Sequence, residues 1–205
     1  LRLRCRRLEP GRAAHAVLSV LFIAGSARSC AWSVKLRDAT RRVADAAGAR
    51  TSVLDLRALA LPLYDGDIEA AQGVPAGAAT LRDAIRDHDA LVIVTPEYNG
   101  FPTPLVINAF DWLSRLPDGT KTTADKPVAL LSISTGALGG LRALNYLRQY
   151  LQMAFSMLVV PQQQALSKAQ EAFVADGTLA DAKLAASVGN VVQAAMRLAQ
   201  AQRAA

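Results

Sequence analysis

The stretch ALVIVTPEYNGFPTPLVINAFDWLSR, residues 90–115, decides the fold. Leu91, Val92, Ile93 and Val94 form an uninterrupted apolar run that ends at Thr95-Pro96. An irregular turn, Glu97-Tyr98-Asn99-Gly100, then hands over to a helical pattern carrying Asn108, Asp111 and Trp112. Strands that are apolar at every position belong to parallel sheets covered by helices on both faces. In such sheets ligands bind in the crevice beyond the carboxyl ends of the strands. Residues 96–100 are therefore the first candidate site.

Working outward, the same alternation repeats. Upstream, Ala16 to Ala24 reads as strand one, followed by the small-residue turn Gly25-Ser26-Ala27-Arg28-Ser29 and a helix from Trp32 to Ala47 that ends at Gly48. Thr51 to Leu56 is strand two. A loop from Ala60 to Asp67 leads to a helix from about Ala76 to His88. Downstream of strand three, a helix runs to about Leu116, and Pro117-Asp118-Gly119 is a turn. Pro127 to Ile133 is strand four, and the loop Ser134 to Gly140 opens a helix to about Phe155. Ser156 to Val160 is strand five, stopped by Pro161, and a last helix spans about Leu179 to Ala201. Strands alternating with helices predict a right-handed, doubly wound parallel sheet. Five of them fit the flavodoxin-like order 2-1-3-4-5 with three α/β/α layers.

The totals agree. The chain has 205 residues, with 52% hydrophobic and 20% charged, which fits one folded domain and argues against extensive disorder. We expect a flavodoxin-like domain over residues 15–205, preceded by a basic, disordered extension over residues 1–14. The net charge of +6 is concentrated there: residues 1–15 carry five arginines against Glu9. A basic arm without a basic face or aromatic platform argues against a nucleic-acid partner. Cys5 and Cys30 are too few for a disulfide framework, and no Cys/His spacing resembles a metal site. No stretch has the roughly 18 to 20 apolar residues of a membrane span. The arginines, the run Ala16 to Ala24 and the small residues 24–27 together imitate a signal peptide. Cleavage near Ala27 would remove strand one and half of the following loop, so a cytoplasmic protein is the expectation.

If the topology holds, three loops open at one sheet edge. The first has the chemistry of a phosphate cradle: Gly25 and Ser26 admit close backbone approach, the following helix offers amides and a positive dipole end, and Ser26, Ser29 and Arg28 add donors. A Gly/Ser helix cap with an exposed Arg accounts for the same residues equally well. The second, Pro96 to Gly100, offers backbone groups and an aromatic face to a flat heterocycle, although Glu97 reads equally as a loop brace and Tyr98 as a cover for the cleft wall. The third carries three glycines in seven residues, 134–140, and suits either a planar ligand edge or a plain strand-to-helix turn. Cys30 lies near a helix N-terminus, where a thiolate is favoured, but it reads first as a small residue filling a loop position. His15 and His88 read as surface or strand-edge residues. No Ser/His/Asp or Cys/His arrangement supplies a catalytic side chain.

On these residues the sequence resembles the NAD(P)H-dependent FMN reductase family, which includes quinone and chromate reductases. The resemblance is carried by Gly25-Ser26-Ala27-Arg28 with Leu36, by Leu61-Pro62-Leu63-Tyr64-Asp65, by Pro96-Glu97-Tyr98-Asn99-Gly100 with Asn108 to Arg115, and by Gly136 with Gly139-Gly140. It implies a homodimer or homotetramer that binds FMN, takes hydride from NADPH or NADH, and passes electrons to a small acceptor: a quinone, an azo compound, a metal oxyanion or free flavin. It also implies roles for residues. Ser26, Arg28 and Ser33 would hold the FMN phosphate, Pro96, Glu97, Tyr98 and Asn99 the isoalloxazine, and Ser134, Thr135 and Gly136 its other edge. The family pattern G-S-x-R-x-x-S-x-N is altered here to Ala31 and Ser33 at its last two polar positions. At about 1.5 to 3 kcal/mol per lost bond to a charged phosphate, this predicts weakened FMN affinity. A flavodoxin-like electron carrier is the alternative, against which the near-neutral to basic body counts. A binding module that has kept the fold with a weakened flavin site is another.

Overall fold

A computed structural model of the protein describes residues 17–205. The expected basic extension, His15 and the start of the first predicted strand at Ala16 lie outside the described residues. Five parallel strands form one sheet in the order β2-β1-β3-β4-β5. They are β1 Ser19–Ala24, β2 Arg50–Leu54, β3 Ala90–Thr95, β4 Pro127–Ile133 and β5 Leu158–Leu166. The order is the one the alternating pattern predicts.

Alternation along the central strands shows why all their positions are apolar. Val20, Phe22, Val92, Val94, Ala129 and Leu131 face one layer, with Leu36 and Ala44 of α1 (Trp32–Ala46) and Val188, Val192 and Ala195 of α7 (Ala182–Ala204). Leu21, Ile23, Leu91, Ile93, Val128 and Leu130 face the other. There they meet α3 (Ala76–Arg86), α4 (Pro104–Ser114) and α6 (Leu141–Phe155). A period of two, buried on both sides, leaves no polar position on β1, β3 or β4 except near their ends. No helix among the described residues is long and apolar enough to cross a membrane.

Several boundaries differ from expectation for identifiable reasons. Strand five does not stop at Pro161 but continues to Leu166. Pro161 lies on an edge strand within an irregularity that shifts the pairing from Val128↔Val159 to Leu130↔Gln163. A missing amide is tolerated at an edge bulge. Arg148 of α6 takes up the displaced acceptors, donating to the carbonyls of Val159 at 3.2 Å and Val160 at 2.9 Å and to Gln163 Oε1. The last helix starts at Ala182, not Leu179, because Asp181 caps it, accepting from the amides of Lys183 and Leu184. Two short helices arise where the sequence reads as loop or turn: α2 (Gly66–Gln72) and α5 (Gly119–Thr123). His88 is buried, not at the surface; its Nδ1 donates to the Ala84 carbonyl at 2.7 Å.

The long connection between β2 and α3 is pinned to α4 by one carbonyl. Pro62 O accepts from Asn108 Nδ2 at 2.8 Å and from the fully buried Trp112 Nε1 at 2.7 Å. Asn108 Oδ1 in turn accepts from the Tyr64 amide at 2.7 Å, and Arg115 clamps Glu69 with its Nε. Trp112→Phe removes one of these donors and leaves space in a packed layer. Denaturant unfolding should show a loss of about 1 to 3 kcal/mol, and protection from amide exchange should fall in residues 61–69; unchanged stability would contradict the pin.

Candidate functional site

In a parallel sheet every strand delivers its carboxyl end to the same edge, so the loops after β1, β3 and β4 converge. The contact is close. The Gly25 amide donates to Val94 O at 2.8 Å, and Thr103 Oγ1 donates to Gly25 O at 2.7 Å while serving as the N-cap of α4. A Cβ on Gly25 would stand 2.7 Å from Val106 Cγ2 and 3.1 Å from Thr95 Oγ1. Glycine is required here by packing against the next strand and helix.

The loop after β1 places Ser26 and Arg28 as the sequence suggests. Ser26 is buried and its Oγ accepts from the Arg28 amide at 3.2 Å, closing a small turn. Ala31 occupies the N-cap of α1 and supplies no side-chain acceptor, so the amides of the first helical turn have no side-chain cap. Ser33 lies in that turn with its Oγ buried and without a hydrogen-bond partner among the described residues. An uncapped helix start beside a buried, unpaired hydroxyl and an arginine fits a bound phosphate. Trp32 does not obstruct the loop: its ring stacks on Phe173 at 6.1 Å, and Lys35 sits 4.5 Å from its centroid. Cys30 is a free, exposed thiol.

The loop after β3 is more regular than its sequence suggests. Tyr98 and Phe101 exchange both backbone hydrogen bonds at 3.0 Å, with Asn99 at φ 53° and Gly100 at φ 85°. That is a two-residue hairpin of the Asn-Gly kind, in which both central residues take positive φ. Tyr98 is 46% exposed at its shoulder, and Pro96 is half-buried at its base.

Glu97 is the brace between the second and third loops. Its carboxylate pairs with Arg142 and accepts from the Ala143 amide at 3.2 Å, at the start of α6. Burial works to raise its pKa, but the Arg142 guanidinium and the α6 amide outweigh it and hold the carboxyl below its ordinary value. The loop after β4 is held from the other side. Ser132 Oγ donates to Gly139 O at 2.8 Å, and a Cβ on Gly139 would come within 2.5 Å of the Leu166 backbone. Ser134 is half-buried, its amide bonded to Leu166 O, while Thr135 and Gly136 are exposed. A Cβ on Gly136 would meet only Ser134 Oγ, at 3.7 Å, so this glycine is not demanded by the protein's own packing.

The structure thus brings Ser26, Arg28, Pro96, Glu97, Tyr98, Asn99, Ser134, Thr135 and Gly136 to one edge, with Ser33 buried just behind it. Sequence reasoning missed Arg142, whose signal was only a cation at the head of a predicted helix. It also missed Arg37 and Arg57, which line a cavity of about 250 Å³ with Ser26, Arg28 and Ser29. A larger, mostly apolar cavity of about 500 Å³ lies elsewhere, between α1 and α7, lined by Ala39, Val43, Leu179 and Val188 among others. It lacks the convergent loop backbone that a polar ligand needs.

Because the Glu97 pKa is lowered on folding, its stabilisation is full above the unfolded value of about 4.5 and is lost as pH falls through the folded value. Unfolding measured from pH 7 down to pH 3 should therefore show wild-type stability falling more steeply below pH 4.5 than that of Glu97→Gln. Parallel curves would contradict the brace.

The comparisons with known proteins agree on one family. The family model described as NADPH-dependent FMN reductase matches residues 18–171. A quinone reductase of Escherichia coli K12 is 37% identical over 145 residues, 69% of this chain and 73% of its own length. An NAD(P)H-dependent FMN reductase of Pseudomonas aeruginosa is 35% identical over 178 residues, 86% of this chain and 92% of its own. Among solved structures, the flavoenzyme NAD(P)H:(acceptor) oxidoreductase of Paracoccus denitrificans superposes with a TM-score of 0.76 at 28% identity, covering 90% of this chain and 98% of its own. The chain belongs to the NADPH-dependent FMN reductase family of oxidoreductases, whose cofactor is FMN and whose electron donor is NAD(P)H.

Proposed function

We propose that the protein is an NAD(P)H-dependent FMN oxidoreductase that reduces a small acceptor of the quinone type. The observation that carries this reading is the convergence of three loops at one sheet edge: the uncapped start of α1, the Asn-Gly hairpin at 98–101, and the glycine loop at 134–140.

The chain's own residues divide the work. Ser26, Arg28 and Ser33, with the first-turn amides of α1, hold the FMN phosphate. Pro96, Tyr98 and Asn99 would hold the isoalloxazine, with Ser134, Thr135 and Gly136 offering amides and hydroxyls from the loop after β4. Glu97 acts by positioning: its ion pair with Arg142 fixes the second loop to the start of α6. When bound, FMN supplies the hydride and electron transfer chemistry, and the protein supplies placement and electrostatics. Backbone amides of these loops would favour negative charge on a bound flavin ring. No side-chain nucleophile or base is required, in keeping with a cleft built from backbone groups.

The oligomer that the resemblance implies has a candidate face here. Phe101 and Tyr146 pack together at 4.8 Å between ring centroids yet remain about half exposed beside the cleft, and Met153 projects from α6 at 85% exposure. Apolar side chains grouped next to a site suit the contact of a second copy.

Purified protein supplied with FMN, NADPH and a benzoquinone should oxidise NADPH steadily, and the rate should fall to background when FMN is omitted from the apoprotein. An apoprotein that shows no flavin titration endpoint and no turnover would contradict the reading. Sedimentation should give a mass of two or four chains; a monomer at micromolar concentration would contradict the oligomer.

A further inference from the structure

Ala31 and Ser33 stand where the family pattern carries a serine and an asparagine, so the loop after β1 offers fewer donors to an anion than the pattern does. The side of that loop facing β2 is built differently. A cavity of about 250 Å³ lies between the loop, α1 and the end of β2, lined by Ser26, Arg28 and Ser29, by Arg37 of α1, and by Asp55 and Arg57 after β2. Three arginines from three separate segments line a space large enough for a phosphate group.

Their partners leave capacity for a ligand. Arg57 Nη1 donates to Ala27 O at 3.3 Å, which holds its side chain against the loop. Arg37 is mostly buried, with a side chain only 14% exposed, and spends Nε and Nη2 on Asp38. Arg28 is exposed and enters no ion pair among the described residues. The Asp55 carboxylate accepts from the Arg57 amide at 2.9 Å, where it caps a turn of 3-10 helix over Leu56–Leu59. Three arginines and a single carboxylate, Asp55, therefore line the cavity together with two serines, while Asp38 pairs with Arg37 from outside that lining. A phosphate monoester carries close to two negative charges near pH 7 and three acceptor oxygens, whereas a diester or a carboxylate carries one charge. Guanidinium groups bind such an anion through paired, charge-assisted bonds.

We propose that Arg37 and Arg57, together with Ser26, Arg28 and Ser29, form a site for a phosphate monoester. Resting on the flavin reading above, the site has two sources of ligand with the same chemistry: the 5′-phosphate of FMN and the 2′-phosphate of NADPH. In the first case the two arginines from outside the loop replace the donors that positions 31 and 33 lack. In the second, with Ser26 and Arg28 engaged by the flavin phosphate, Arg37, Arg57 and Ser29 make the enzyme select NADPH over NADH.

The test is equilibrium titration of the apoprotein with four ligands, FMN, riboflavin, NADPH and NADH, followed by fluorescence. The proteins are wild type, Arg57→Gln, Arg37→Gln, the double variant, and Arg41→Gln as a control that removes the same charge from α1 outside the cavity. Thermal melts confirm folding, and Arg57→Lys keeps the charge without the forked geometry. Each cavity variant should weaken one phosphate-bearing ligand on the order of 10-fold, the double variant more. The phosphate-free partner should change less than about two-fold, Arg57→Lys should fall between wild type and Arg57→Gln, and Arg41→Gln should match wild type. A selective loss of FMN relative to riboflavin assigns the site to the flavin, and a selective loss of NADPH relative to NADH assigns it to the donor. The proposal is overturned if FMN and NADPH both keep their affinity, if phosphate-free and phosphate-bearing forms weaken together, or if Arg41→Gln has the same effect. A wild type that binds no flavin overturns the flavin reading instead, and the NADPH and NADH arm then decides the site alone.

Discussion

The close approach of backbone at Gly25 is the constraint on which the rest of the site depends. Its amide is bonded to Val94 and its carbonyl to Thr103, and the position of an absent Cβ is already filled by Val106 and Thr95. One residue thereby ties the end of β1 to the end of β3 and to the start of α4. The first loop can only leave the sheet in one direction, and the second must begin beside it. A bulkier residue would force the two loops apart, and the cleft between them would lose its shape before any ligand contact was lost. The site is a property of strand ends packed too tightly for a side chain.

Two braces extend that order outward. Glu97 joins the second loop to the start of α6, so the hairpin carrying Tyr98 and Asn99 is fixed to the helix that follows the third loop. On the far side of α4, Pro62 receives Asn108 and Trp112, while Arg115 reaches Glu69. This explains why the L-P-L-Y-D stretch and the N-A-x-D-W-L-S-R stretch occur together in one sequence: they are the two halves of one hydrogen-bond network. Together they hold the long β2 to α3 connection in place.

Much of this was legible in the sequence, and the failures are physical. The parallel sheet followed from apolar runs at residues 19–24, 90–95 and 127–133, because burial on both faces leaves a continuous signature. The hairpin at Asn99-Gly100 was readable in principle from the dipeptide alone, yet its flanks, Tyr98 and Phe101, lack the alternation that marks a longer hairpin. Pro161 was misread as a stop because a proline normally ends strand pairing; at an edge strand the ladder can skip it, and Arg148 satisfies the carbonyls left behind. The burial of His88, just ahead of β3, is not announced by the sequence, because one histidine after a helix carries no periodicity. Arg37 and Arg57 were invisible for a different reason: twenty residues separate them, and only the pairing of β1 with β2 brings them to the same loop. Local patterns report elements, whereas a site assembled across elements needs the topology.

The central claim is that the three loop ends form one flavin cleft, in preference to the larger apolar space between α1 and α7. Amide chemical shifts followed by NMR during titration of the apoprotein with FMN test it most directly. The account predicts that the perturbed amides cluster in residues 25–34, 96–101 and 134–140. Shifts confined to residues lining the other cavity, such as Ala39, Val43, Leu179 and Val188, would contradict it.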